Sequence, residues 1–111
     1  MPITEYQGHT FDGSYEVSNW GNVRKAGVNT PVAFYNDGYG YKRFKIYDTN
    51  HRRTAIRIHR LVALYFIGAP EPGQEVDHID GNTSNNSYSN LQWVYHRDNM
   101  KRKSKAYGEA L

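Results

Sequence analysis

Between Tyr41 and Ile58 the chain alternates twice, and this doubled pattern restricts its architecture more than any other stretch. In Tyr41–Tyr47, Phe44 and Ile46 fall on one side while Arg43, Lys45 and Tyr47 fall on the other. A period of two is the mark of a half-buried strand. After the polar turn Asp48–His51, the stretch Arg52–Ile58 repeats the design, with Ile56 and Ile58 on one side and Arg53 and Arg57 on the other. The expectation is a small antiparallel sheet with one apolar face and one basic face. Charges on a strand commonly face only water. Here both strands put basic groups on the same side with Tyr47 among them, which suits contact with a phosphate backbone and its sugars or bases.

The flanking stretches are short strands and turns. Ser14–Ser18 carries Tyr15 and Val17 in alternation, Asn19-Trp20-Gly21-Asn22 is rich in turn formers, and Val23–Lys25 returns as a hairpin partner. Pro31–Tyr35 reads as an apolar strand ended by Asn36-Asp37-Gly38. From His59 the period changes: Leu61, Val62, Leu64, Tyr65 and Phe66 fit one or two helical turns on a core. Gly68–Gly73 forms a connector, Gln74–His78 a short extended stretch, Asp80–Asn90 a long polar loop and Leu91–Val94 a brief strand. His96–Lys105 reads as a polar, basic helix, with Asp98 favouring its start and Lys101–Lys105 its end.

At 111 residues and a mean hydropathy of −0.85, the chain has room for one modest core, much of it aromatic, with ten tyrosines available. The absence of cysteine excludes disulfide staples and thiolate-held zinc, and agrees with a reducing compartment. Met1–Thr10 lacks the features of a signal peptide, and the apolar run Leu61–Ile67 is far shorter than the roughly 20 residues of a membrane span. A cytoplasmic protein that avoids membranes is expected. The net charge of +3 permits a nucleic-acid partner without demanding one. Its distribution says more: twelve of the fourteen Lys and Arg lie in Lys42–Arg60 and Arg97–Lys105, while Glu71, Glu75, Asp77 and Asp80 crowd the gap. An acidic knot between basic stretches suits a site that holds a metal cation beside a polyanion.

Three segments together resemble the HNH endonucleases of the phage and intron-associated homing type. They are Tyr15-Glu16-Val17-Ser18-Asn19-Trp20-Gly21-Asn22-Val23-Arg24, Ile58-His59-Arg60-Leu61-Val62-Ala63 and Val76-Asp77-His78-Ile79-Asp80-Gly81-Asn82. The last continues through Asn85-Asn86, Asn90-Leu91-Gln92-Trp93 and Asn99-Met100. The resemblance implies an α+β fold: a small N-terminal antiparallel β-sheet (1–58, contacting DNA), a ββα-metal nuclease unit (59–105) and a tail (106–111). It also implies a metal-dependent hydrolase of DNA phosphodiester bonds, working in the host cytoplasm if phage-encoded, as a monomer or weak dimer. The alternative is a non-catalytic DNA-binding module on the same scaffold.

The chemistry explains the residue types. A neutral imidazole can take a proton from water near pH 7, the role the resemblance gives His78. One divalent ion, Mg²⁺ first and Mn²⁺ second, prefers hard oxygen ligands, here Asp77 and Asn99. His96, one helical turn before Asn99, is the second choice. By the resemblance, Asn90 ties the loop to the strand and orients His78. Arg43, Lys45, Arg53, Arg57 and Lys101 are the candidate DNA contacts. His59 is assigned a structural role as a polar cap or core hydrogen bond; Asn82, Asn85 and Asn86 shape the loop; Trp93 is core; His9 and His51 lie on the surface. Relatives of the homing type often carry a further helical DNA-reading module, whereas this sequence ends at Leu111. The expectation is therefore a loosely specific nuclease, or specificity drawn from the basic sheet.

Overall fold

A computed structural model describes residues 1–96. The antiparallel pairing expected of the first half is divided among separate ladders. Strands β1 (Glu5–Tyr6) and β2 (His9–Thr10) form one hairpin, and β3 (Tyr15–Val17) and β4 (Val23–Lys25) a second. A three-stranded sheet follows in the order β5 (Tyr35–Asn36), β6 (Lys42–Tyr47), β7 (Arg53–Arg57). Strands of two or three residues closed by turns cannot extend a common ladder, so each hairpin packs by its side chains. The apolar segment before β5 pairs less than its composition suggests. Pro31 has no N–H to donate and bridges to Arg24, Val32 donates to the Val23 carbonyl, and Phe34 is exposed.

The doubled alternation folds as read. Phe44 pairs with Ile56 and Ile46 with Thr54, all four buried, while Arg43 faces Arg57 and Tyr47 faces Arg53 on the other side. Helix α1 (Ile58–Phe66) begins on the residue after β7, with no loop between them and no side-chain cap at Arg57. It buries Ile58, Leu61, Val62 and Ala63 against β6 and β7. One core cluster joins Ile3, Val17, Phe44, Ile56, Leu61, Val62, Val76 and Leu91, so the halves on either side of α1 share their apolar interior. Each such aliphatic or aromatic side chain contributes about 1.5–3 kcal/mol on burial. Gly68, at φ +132°, lets the chain leave the helix.

The last described elements are β8 (Gln74–His78) and β9 (Leu91–Tyr95), an antiparallel pair joined by a loop that ends in the 3₁₀ turn Tyr88–Asn90. Both pack on α1. The turns of the first half reach over this loop. The Asn19 carbonyl accepts from the Tyr88 N–H at 2.8 Å, and the Thr83 hydroxyl donates to the Gly40 carbonyl at 2.8 Å. His9, expected on the surface, holds the Asp48 carboxylate at 2.9 Å. Hydrogen bonding from His9, the Arg52 N–H and the Asn50 N–H keeps the Asp48 carboxyl below its usual pKa against the opposing effect of burial. Among the described residues, no helix is long and apolar enough to cross a membrane.

Candidate active site

The β8–β9 register pairs Asp77 with Gln92 and His78 with Leu91. Strand alternation then separates the two neighbours. Val76 and His78 turn toward α1, and Glu75 and Asp77 lie on the opposite face with Gln92 and Val94. Asp77 is buried, and its Oδ2 accepts from Gln92 Nε2 at 3.0 Å.

His78 is equally buried and held on two sides. Its Nε2 lies 2.8 Å from Asn86 Oδ1. An amide oxygen can only accept, so the ring donates from Nε2, and a neutral ring in this contact would carry its lone pair on Nδ1. The ring packs 5.3 Å from His59 and 5.9 Å from Tyr41, which themselves stack at 4.7 Å. His59 is buried, and its Nδ1 has no hydrogen-bond partner among the described residues. Burial is the main reason that its pKa falls to about 3, with the charges of His78 and Arg57 adding to it. His59 therefore stays neutral at physiological pH and acts as an aromatic wall. The expected cap or core hydrogen bond is not what it makes here.

The loop between the strands is organised by two side chains. Asn90 Oδ1 accepts from the Asp80 N–H at 3.0 Å, and Asn90 Nδ2 donates to Asp80 Oδ1 at 2.8 Å and to the Asn85 carbonyl at 2.9 Å. Its carbonyl accepts from the Ile79 N–H at 2.8 Å. Asp80 also receives the Asn82 N–H and the Asn85 amide. These donors, the Asn82 N–H foremost, hold the Asp80 carboxyl below its usual pKa. Asn90 thus ties loop to strand, whereas the side chain that touches His78 is Asn86. Sequence reading gave Asn86 only a loop-shaping role. The Asn85-Asn86 pair was visible, but nothing local says which amide folds back eight residues onto His78.

His96 Nδ1 lies 3.1 Å from Glu75 Oε2, two residues up the strand from Asp77, and its side chain is 69% exposed. Asn99 and Lys101 lie outside the described residues. Among the described residues, no group of three or more His, Cys, Asp or Glu is arranged to hold a metal ion. Arg60 stacks its guanidinium 5.4 Å from Trp93, whose Nε1 donates to the Gly68 carbonyl at 2.8 Å.

The basic face of β6–β7 carries Lys45, Arg53 and Arg57, all exposed, and Arg43, which is partly covered and ion-paired to Asp37 at 3.3 Å. Lys45 lies 5.3 Å above the Tyr35 ring and Lys42 4.5 Å above Phe34, so exposed aromatic rings stand beside these cations.

A family model for HNH endonuclease matches residues 57–101, the stretch holding α1, the two-stranded β8–β9 ribbon and its loop. The chain is also 36% identical over 90 residues to the DNA endonuclease I-HmuI of Bacillus phage SP01, covering 81% of this chain and 51% of that protein. The matched segment, residues 57–101, is HNH-like. An uncharacterized HNH endonuclease of Acanthamoeba polyphaga mimivirus is 33% identical over 97 residues, 87% of this chain and 29% of that one. The fold matches a solved structure describing DNA binding and cleavage by the HNH homing endonuclease I-HmuI. That match has a TM-score of 0.77 and 33% identity over 97% of this chain and 58% of the other. The chain spans about half the length of the I-HmuI protein, and less of the mimivirus relative. The matched HNH segment includes Asp77, His78, Asn86, Asn90, His96 and Asn99, while Arg43, Lys45 and Arg53 precede it.

Proposed function

We propose that this chain is a metal-dependent DNA endonuclease that hydrolyses phosphodiester bonds with His78 as general base. The observation that carries the reading is the placement of His78. Its ring is fixed between His59, Tyr41 and Asn86, and a neutral ring in that contact would carry its lone pair on Nδ1. A base fixed in one tautomer needs no reorganisation before it accepts a proton. His78 Nδ1 takes the proton from the attacking water. Asn90 acts one step removed, keeping the loop that carries Asn86 anchored to the strand.

The donor chemistry fits a hard divalent ion. Asp77 offers a buried carboxylate, a hard oxygen donor of the kind such an ion prefers. Asp77 and Asn99 would hold Mg²⁺, or Mn²⁺, with water and phosphate oxygens completing the shell. Asn99 is preferred to His96 because the His96 imidazole is engaged by Glu75. When bound, such an ion would neutralise charge on the scissile phosphate and stabilise the departing 3′ oxygen. Lys45, Arg53, Arg57 and Arg43 would hold the duplex backbone, joined by Lys101 beyond the described segment.

Plasmid DNA incubated with the protein and Mg²⁺ or Mn²⁺ tests the reading. Nicking by the wild type that disappears in His78→Ala is the expected result, and equal nicking by His78→Ala would refute it. DNA binding that survives EDTA, with no cleavage under either metal, would establish the non-catalytic binding module instead.

A further inference from the structure

We infer that the hairpin turn Ser18–Asn22, far from the ribbon in sequence, is a working part of the active site. It acts as a brace that sets Asn86, and through Asn86 the tautomer and aim of His78. This rests on the reading of His78 as the base.

Three contacts form the chain of argument. The turn has a fixed shape: Ser18 Oγ accepts from the Trp20 and Asn22 N–H groups at 3.3 and 3.1 Å, and the Gly21 N–H donates to the Ser18 carbonyl at 3.0 Å. Its position is fixed by the Tyr88 N–H donating to the Asn19 carbonyl at 2.8 Å. Its Gly21 then lies directly against Asn86. A Cβ added at Gly21 would stand 2.8 Å from Asn86 Cβ and 3.0 Å from the Asn86 carbonyl oxygen. Those atoms are backbone or one bond from it, so Asn86 could yield only by moving its main chain. Asn86 is 4% exposed, and its Oδ1 is the partner of His78 Nε2 at 2.8 Å. A main-chain shift of a few tenths of an ångström at Asn86 would loosen that hydrogen bond directly. Asn86 and Gly21 are thus positioning residues, neither touching the reacting atoms.

Two glycines separate contact from strain. Gly21 sits at φ +84° and Gly27, at the far end of β4, at φ +80°. An alanine at either position is strained, but only at Gly21 does the new Cβ meet anything within 4 Å. The experiment compares the full-length Gly21→Ala, Gly27→Ala, Asn86→Ala and Asn86→Asp proteins. Plasmid nicking at saturating Mg²⁺ gives kcat and KM, and long-range ¹H–¹⁵N NMR of the His78 ring reads its tautomer. Gly21→Ala and Asn86→Ala should lose about 10- to 100-fold in kcat at similar KM, the usual cost of removing a supporting partner. Both should also lose the Nε2–H tautomer. Gly27→Ala should melt lower but keep kcat and the tautomer. Asn86→Asp, which retains an acceptor for Nε2–H, should recover much of what Asn86→Ala loses. If Gly21→Ala does not fold, Ser18→Ala, which removes only the turn's internal acceptor, should show the same signature more weakly. An unchanged His78 tautomer in folded Gly21→Ala or Ser18→Ala would overturn the brace whatever the activity. So would a kcat for Gly21→Ala equal to that of Gly27→Ala. Wild-type nicking by His78→Ala would instead remove the reading of the base, and the NMR comparison would still decide the brace.

Discussion

Replacing Arg53 and Arg57 together with glutamine should leave cleavage chemistry intact while making DNA affinity less sensitive to salt. Both side chains are exposed on the face of β7 that also presents Arg43 and Lys45 from β6. Each cation that neutralises a phosphate steepens the log–log dependence of affinity on salt by about 0.9 on B-form DNA. Removing two such cations should flatten the slope by about 1.8. Between about 50 and 200 mM salt, that corresponds to a wild-type affinity that falls about 12-fold further than the variant's. Arg43→Gln should matter less, because Asp37 already compensates that guanidinium at 3.3 Å. Arg24→Gln serves as the control, since its guanidinium is engaged by Glu16 across the β3–β4 hairpin. Fluorescence anisotropy with a labelled duplex, titrated at four salt concentrations, gives each slope. If the double variant shows the wild-type slope, or Arg24→Gln flattens it equally, the β6–β7 face is not what holds the phosphates.

His78→Ala should lower the rate of plasmid nicking by about 10²- to 10⁴-fold, the usual contribution of a general base, with duplex affinity nearly unchanged. EDTA should stop nicking while leaving anisotropy-measured binding in place, and added Mg²⁺ should restore it. Asp77→Ala and Asn99→Ala should each raise the Mg²⁺ concentration needed for half-maximal nicking, whereas His96→Ala should not. Stability should fall on acidification through His59. Its folded pKa of about 3 lies below its ordinary 6.5, so the unfolded chain binds the proton first. That contribution is complete above pH 6.5 and is lost toward pH 3, with a slope approaching about 1.4 kcal/mol per pH unit. Urea melts between pH 7.5 and 4.5 should show His59→Phe with a shallower decline than the wild type.

Much of the fold was legible where burial on one face imposes a period. The alternation of Phe44 and Ile46 against Arg43 and Lys45 located β6 within a residue, and β8 runs over Gln74–His78 as read. The start of α1 was harder, because Ile58 continues the strand's apolar parity and Arg57 supplies no capping side chain to mark the change. Pro31–Tyr35 looked like a strand by composition, but only Tyr35 and its neighbour Asn36 join the sheet. At the site, Asp77 and His78 were visible as an adjacent pair at the end of a strand. Their partners were not. His59 and Tyr41 reach His78 from other elements, and Asn86 reaches it only because the loop folds back. Such contacts are made by tertiary packing and leave no spacing in the sequence.

The joint between Arg57 and Ile58 has a consequence for where such an enzyme would cut. Strand runs into helix without a hinge, and the helix carries the ribbon against its flank. Under the proposed function, the interval between the phosphates gripped by the sheet and the phosphate presented to His78 becomes a ruler of fixed length. One residue inserted at this joint would rotate the helix by about 100° about its axis. Because α1 buries Leu61, Val62 and Ala63 in the same core as Phe44 and Ile56, that rotation would break the packing that joins grip to site, so the ruler cannot be lengthened without loss of stability.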